Sequence, residues 1–324
     1  MATVVTDAPP SRHPWKEGGG IWGDRIYHVL MRCIVGVVLA IFTGMFIVVV
    51  IGALPAIKKF GLGFLIHTGW DPVHLRFGAL PFIVGTVVVA LGAMILAGGI
   101  GLMTAVCITE LLPRWLQGPV SYLIELLAFI PSVVYGLFGI LVLAPFLQRT
   151  VEIWLMLHLG PHFAIFNGAP YGVGYLSAIV ILAVMLLPLI IALSREALIL
   201  VPREQREAAL ALGAEHWDVI WKVIVPYARN GIAGAFVLAL GRALGETIAV
   251  AMTIGGGYSL PTTVMDQGYT LASVIANEFN EVSSDMYLSA LIYCGLILLA
   301  ITVVVNIAAY IIVRRMSGIH GFKA

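Results

Sequence analysis

The sequence predicts an all-α polytopic membrane protein with six transmembrane helices. Sixty per cent of the residues are hydrophobic and only 11% are charged, about half the charge of an ordinary soluble domain. The apolar residues gather into six runs, at about 28–57, 79–106, 119–147, 173–194, 228–254 and 286–313. Each run supplies the ~20 residues that cross ~30 Å of hydrocarbon. No ten-residue alternating pattern points to a barrel, and lipid cannot satisfy exposed backbone, so the runs are read as helices.

Composition also narrows the class. A formal net charge of +1 offers no electrostatic footprint for nucleic acid. Cys33, Cys107 and Cys294 lie in or beside apolar runs, without a CxxC or a Cys/His cluster. They are read as buried, inert thiols, with neither a metal site nor a disulfide framework.

Residues 1–27 are polar and rich in Pro and Gly, as expected of a flexible N-terminal tail. The first apolar run is too long for a cleavable signal and long enough to tilt or to extend beyond the bilayer. Residues 28–315 make up the six-helix domain, and 316–324 a second short tail. The links 58–78 and 148–172 mix aromatics with His and Gly. Trp70, Trp154 and Tyr171 suit an interfacial belt. His67, His74, His158 and His162 lack the spacing of metal ligands.

The second run ends at Thr109-Glu110 and the turn LLPRWLQGP. The third carries Glu125 and then Pro131-Ser132. Proline lacks the backbone donor and clashes with the preceding turn, so the helix should kink or break there. A break at membrane depth is tolerated where it lines a cavity, which makes Ser132 and Tyr135 of IPSVVYG candidate wall residues beside Glu125. The fifth run holds Arg242 and Glu246, four residues apart and therefore expected on one helix face, followed by Thr247. An unpaired Arg at bilayer depth costs about 2.5–3.5 kcal/mol or more, so it marks a functional site. Its planar fork of donors suits an oxyanion. Glu246 could accept from a protonated oxyanion and repel a fully deprotonated one. The segment 255–285 is polar enough to face a soluble partner.

Lys and Arg orient the chain. With the N-terminus inside, the cytoplasmic side receives thirteen: Arg12, Lys16, Arg25, Arg32, Arg114, Arg195, Arg203, Arg206, Lys222, Arg229, Arg314, Arg315 and Lys323. The outer side receives four: Lys58, Lys59, Arg76 and Arg149. Both termini and the polar loop 196–227 are therefore expected in the cytoplasm. In that loop Pro202 opens a helix, Glu204 and Glu207 sit where the helix dipole favours negative charge, and Gly213 ends it.

The loop resembles the EAA loop of ABC importer permeases. Glu207-Ala208-Ala209 is followed by Gly213, and Val223, Val225 and Pro226 close the motif, with Val in place of Ile and Leu. GRALGETIAVAMTIGGG, IPSVVYGLFGI at 130–140 and LPLIIALSREAL at 187–198 resemble the phosphate-specific (Pst) permeases, the PstC-type subunit more than the PstA-type. The resemblance covers roughly 79–313. It implies the type I importer permease (MetI-like) fold, a bacterial inner-membrane location, and a pathway for inorganic phosphate using Arg242, Glu246, Thr247, Ser132, Tyr135 and Glu125. It also implies docking of an ATP-binding PstB-type subunit through Glu207, Ala208, Ala209, Gly213 and Pro226, a second permease of PstA type, and a PstS-type binding protein outside. The sequence carries no GxxxxGK[ST] loop, so ATP is expected on the partner and no cofactor on this chain. A permease for molybdate or sulfate, or the PstA-type partner itself, is the alternative within the class. A membrane enzyme would need paired catalytic groups, and a sensor an output domain.

Overall fold

The computed structural model describes residues 20–317, so the segments 1–19 and 318–324, most of the two expected tails, lie outside the described residues. In order the helices are α1 (Gly20–Phe60), α2 (Leu80–Leu111), α3 (Arg114–Ala128), α4 (Ser132–His158), α5 (Tyr175–Ile199), α6 (Arg203–Ala211), α7 (His216–Gly245), α8 (Ile248–Thr253), α9 (Leu271–Glu278) and α10 (Asp285–Ser317). Among the described residues, six are long and apolar enough to cross a membrane: α1, α2, α4, α5, α7 and α10. Two strands of two residues each, β1 (Trp70–Asp71) and β2 (Arg76–Phe77), form an antiparallel hairpin between α1 and α2.

The chain divides into two compact units, one ending at Ile51 and one from Gly52 onward. In the first, α1 begins at Gly20, so residues 20–27 of the expected tail are helical. Ile26, Leu39, Phe42 and Val48 illustrate its apolar, outward-facing surface.

Within the second unit, α2 and α5 form the central pair. Val89, Ala90, Ala93 and Ala97 of α2 are buried with Ile179, Leu182, Leu186 and Ile190 of α5. Small residues let the backbones approach, which is how apolar helices associate where lipid removes the hydrophobic drive. A Cβ at Gly92 would stand 2.9 Å from Ile179, and one at Gly101 2.8 Å from Ile190. A second cluster joins the end of α1, the hairpin, α9 and α10 through Phe64, Trp70, Phe77, Phe82 and Tyr287. A third joins the ends of α2 and α5 to the start of α7 through Val106, Leu198, Ile220 and Ile224.

Several expectations are corrected. The run 119–147 is not one span. Helix α3 stops at Ala128, Pro131 stands as N-cap of α4 (φ −59°, ψ 142°), and the spanning helix is Ser132–His158. The break at Pro131 is as expected; the helix before it is a separate element. The run 228–254 is likewise split, because α7 ends at Gly245 and α8 starts at Ile248. Trp70 is buried among Phe64, Phe77 and Phe82 rather than interfacial, whereas Trp154 and Tyr171 are exposed. Of the cysteines, Cys294 is buried, but Cys33 and Cys107 are exposed.

Candidate functional site

Two broken helices bring the candidate wall residues together. Helix α4 lies against α8, and glycine makes the contact possible. A Cβ at Gly136 would fall 2.5 Å from the Met252 sulfur, and one at Gly139 2.5 Å from Thr253 Cγ2. The first turn of α4, with Ser132 and Tyr135, therefore lies near the Glu246–Thr247 break. Tyr135 is buried, and its hydroxyl donates to the Leu127 carbonyl at 2.8 Å, which ties α4 to the end of α3. Arg242 lies within electrostatic reach of Tyr135.

Arg242 and Glu246 do not share a helix face. Glu246 leaves the helix in extended conformation (φ −68°, ψ 127°), and no ion pair joins the two among the described residues. The i,i+4 rule fails because the helix ends between them. Glu246 instead turns toward the next helix, where Oε1 accepts from the Ala249 N–H at 3.4 Å. Arg242 is flanked by Ala239 and Ala243, which pack with Val89 and Ala93 of α2 and Leu182 of α5. It lies exposed in the last turn of α7, where the helix dipole favours a cation. Thr247 is half-buried in the break and donates to the Gly245 carbonyl at 3.2 Å. Glu125 stands exposed on α3 and makes no hydrogen bond or ion pair with the others among the described residues.

The polar loop forms a second site. Helix α6 ends in a Schellman turn. The Ala214 N–H donates to the Ala209 carbonyl at 3.2 Å and the Gly213 N–H to the Leu210 carbonyl at 2.9 Å, with Gly213 at φ 85°. Positive φ explains the glycine at this position. Ala209 and Ala214 pack on the third core cluster, while Glu207 and Ala208 point outward with Leu210, Leu212 (89% exposed) and Trp217. Pro226 follows a wider helical turn at Ile220–Ile224, which accommodates a residue that cannot donate to the ladder.

Sequence reasoning missed how this loop is held. Arg206 Nη1 donates to both oxygens of Glu110 at 2.8 and 2.7 Å, and Nη2 donates to the Leu198 carbonyl at 3.1 Å. The Glu110 side chain is 4% exposed and that of Arg206 25%. One arginine thus joins the ends of α2 and α5 to α6. The polar pair could be noticed in the sequence, but no local spacing rule pairs residues 96 apart.

The family model of the binding-protein-dependent transport system inner membrane component matches residues 97–318. "Phosphate transport system permease protein PstC" of Mesorhizobium japonicum is 42% identical over 295 residues, 90% of each chain. The protein of the same name from Pasteurella multocida is 41% identical, covering 85% of this chain and 86% of the relative. In fold, the chain is similar to an inward-facing MetNI methionine ABC transporter (TM-score 0.54, 20% identity, covering 72% of this chain and 93% of that one). It is also similar to a bacterial ABC transporter that imports alginate (TM-score 0.59, 16% identity, covering 91% and 98%). The fold is that of the type I, MetI-like importer permeases, in a multi-pass inner-membrane protein. With a family match across most of its helices and PstC relatives aligned over nearly their whole length, the chain belongs to the binding-protein-dependent transport system inner membrane components, among the PstC-type permeases.

Proposed function

We propose that the chain is one half of the translocation pathway of an ATP-driven inorganic phosphate importer and has no catalysis of its own. The observation that carries this reading is Arg242. It is exposed beside two helix breaks, within electrostatic reach of Tyr135 and without a carboxylate partner among the described residues. An unpaired guanidinium offers a phosphate oxygen pair a planar fork. Ser132 opens α4, where the first N–H groups have no acceptor within the helix and favour an anion. One Glu246 oxygen engages Ala249; the other can accept from a protonated phosphate and repel sulfate.

Energy comes from a PstB-type ATPase that binds ATP and docks on Glu207, Ala208, Ala209 and Gly213, with Pro226 fixing the return into the membrane. The exposed Leu210, Leu212 and Trp217 beside these residues support the docking reading, because an apolar patch on a polar loop suits a partner surface. A PstA-type permease completes the pore and a PstS-type protein delivers phosphate to the opposite face. Both termini and loop 196–227 lie in the cytoplasm, 28–315 is the permease domain, lipid surrounds it, and nucleic acid is no partner. The test is reconstitution of the chain with its ATPase, second permease and binding protein in proteoliposomes. Phosphate uptake that requires ATP and this chain is expected; sulfate-selective uptake, or uptake without the chain, would overturn the reading.

A further inference from the structure

A second basic site lies at the Leu80 end of α2, whereas α6 is tied by Glu110 to the other end. Here the last turn of α1, the turn Gly61–Leu65 and the β1–β2 hairpin enclose a cavity of about 410 Å³. Its lining includes Lys59, Arg76 and His67, with Phe60, Phe64 and Phe77 as apolar walls.

The acid of this hairpin is already engaged. Asp71 stands opposite Arg76 in the ladder, but its oxygens accept from the N–H groups of Val73 and His74 at 3.0 and 3.1 Å and meet the His74 ring nitrogen at 2.6 Å. Arg76 forms no ion pair among the described residues. Among the described residues the Lys59 ammonium donates to the Leu75 carbonyl, at a long 3.4 Å, and stands 5.2 Å over the Phe60 ring. His67 Nδ1 donates to the Gly63 carbonyl at 2.6 Å, which leaves Nε2 as an acceptor for a protonated oxyanion.

The cavity is held by backbone. Ala79 N–H donates to the Phe64 carbonyl at 2.7 Å and Leu80 N–H to that of His67 at 3.3 Å. A Cβ at Gly78 would fall 2.3 Å from the His67 carbonyl, so only glycine lets the chain close there. Leu75, whose carbonyl meets Lys59, sits at φ 51°, a left-handed conformation that leucine rarely takes. Strain of this kind persists where the surroundings impose it and gathers at ligand clamps.

We infer that Lys59, Arg76 and His67 form a binding site for a phosphate-class oxyanion, either inorganic phosphate or the phosphodiester of an anionic lipid headgroup. Two cations and an imidazole line one cavity, the local carboxylate is engaged by its own turn and by His74, and the aromatic walls suit the glycerol end of a lipid as well as a bare ion. The site stands independently of the transport reading.

The test uses the full-length chain in its complex, with Arg242→Ala throughout so that the candidate pathway loses its main anion contact. One arm measures equilibrium binding of radiolabelled inorganic phosphate in phosphatidylcholine nanodiscs. The other counts phosphatidylglycerol retained from mixed-lipid nanodiscs by native mass spectrometry. Lys59→Gln with Arg76→Gln should weaken one arm by at least about tenfold, and Arg76→Lys should recover part of it. Loss in the phosphate arm identifies a free ion; loss in the lipid arm identifies a headgroup. Should the double variant fail to insert, Arg76→Gln is read alone, since that side chain is exposed. Unchanged binding in both arms would remove the site.

Discussion

A guanidinium at the last turn of a helix, without a carboxylate partner, is open to an arriving anion. That is the state of Arg242, and it sharpens the expected effect of removing it. Arg242→Ala should lower phosphate uptake per assembled complex by at least about tenfold, since a charge-assisted contact is worth roughly 1.5–3 kcal/mol. Arg242→Lys keeps the charge but not the fork and should be intermediate. The sequence placed Arg242 and Glu246 on one helix face, and the helix end between the two residues removes that shared face. Glu246→Ala combined with Arg242→Ala should therefore recover only the repulsion of phosphate by the remaining Glu246 oxygen. Uptake assays on all three variants, normalised to complex in the membrane, decide this. Normal uptake by the Arg242→Ala complex would exclude the residue from the pathway.

At the scale of elements, the loop proposed to dock the ATPase depends on a turn and a strut. Gly213 at φ 85° has open space where a Cβ would stand, so the cost of replacing it is backbone strain alone. Gly213→Val should cost about 1–2 kcal/mol or more of local stability, leaving inserted protein that copurifies less ATPase. Glu110→Gln removes the charge that holds Arg206. Breaking such a pair costs about 3 kcal/mol when buried, and less here because Arg206 is partly exposed, so the chain should insert with α6 loosened. Protease cleavage within 203–213 would report it. The loop's start, turn and outward face were legible from Pro202, Glu-Ala-Ala and Gly213, because those signals are local. The strut was not, because Glu110 and Arg206 meet only through the packing of α2 on α5. Glu278 was missed for the same reason. It is buried and accepts from the Tyr258 hydroxyl at 2.6 Å, from Tyr269 at 3.3 Å, and from Tyr287.

The link 255–270 carries a pH prediction of its own. Burial pushes the Asp266 carboxyl up, but donors from Thr263 and Thr262 outweigh it and hold the group below the usual range. Thr262 and Thr263 each donate both backbone N–H and hydroxyl, at 2.7–2.8 Å. A depressed folded value contributes stability above the unfolded value of about 3.9, and that stability is lost as pH falls through the folded one. The link should therefore keep its protection from proteolysis between about pH 5 and 8 and lose it only below about 4. Asp266→Ala should expose it at neutral pH. A link that opens near pH 6 in the parent chain would contradict this account.

For the whole molecule, six spans, their helical character and the importer fold were legible because lipid enforces long apolar runs. Span edges were not, since Pro131 and the Glu246 break shift them without changing hydropathy. Neither break changes the number of crossings, so the charge-based orientation still predicts where each face lies. Ser259 and Glu215 are both exposed, and they stand on opposite sides of the α7 span in the chain. A cysteine at Ser259 should react with an impermeant thiol reagent added outside intact cells, and one at Glu215 only after the membrane is opened. The native thiols need attention first. Cys33 and Cys107 are exposed and should be replaced by serine, while Cys294 is buried and shielded from the reagent. With thirteen cations against four, the proposed orientation predicts loop 196–227 on the cytoplasmic side, where ATP can drive a docked partner. Labelling in the opposite pattern would invert the protein in the membrane and place its docking loop where no ATPase could use it.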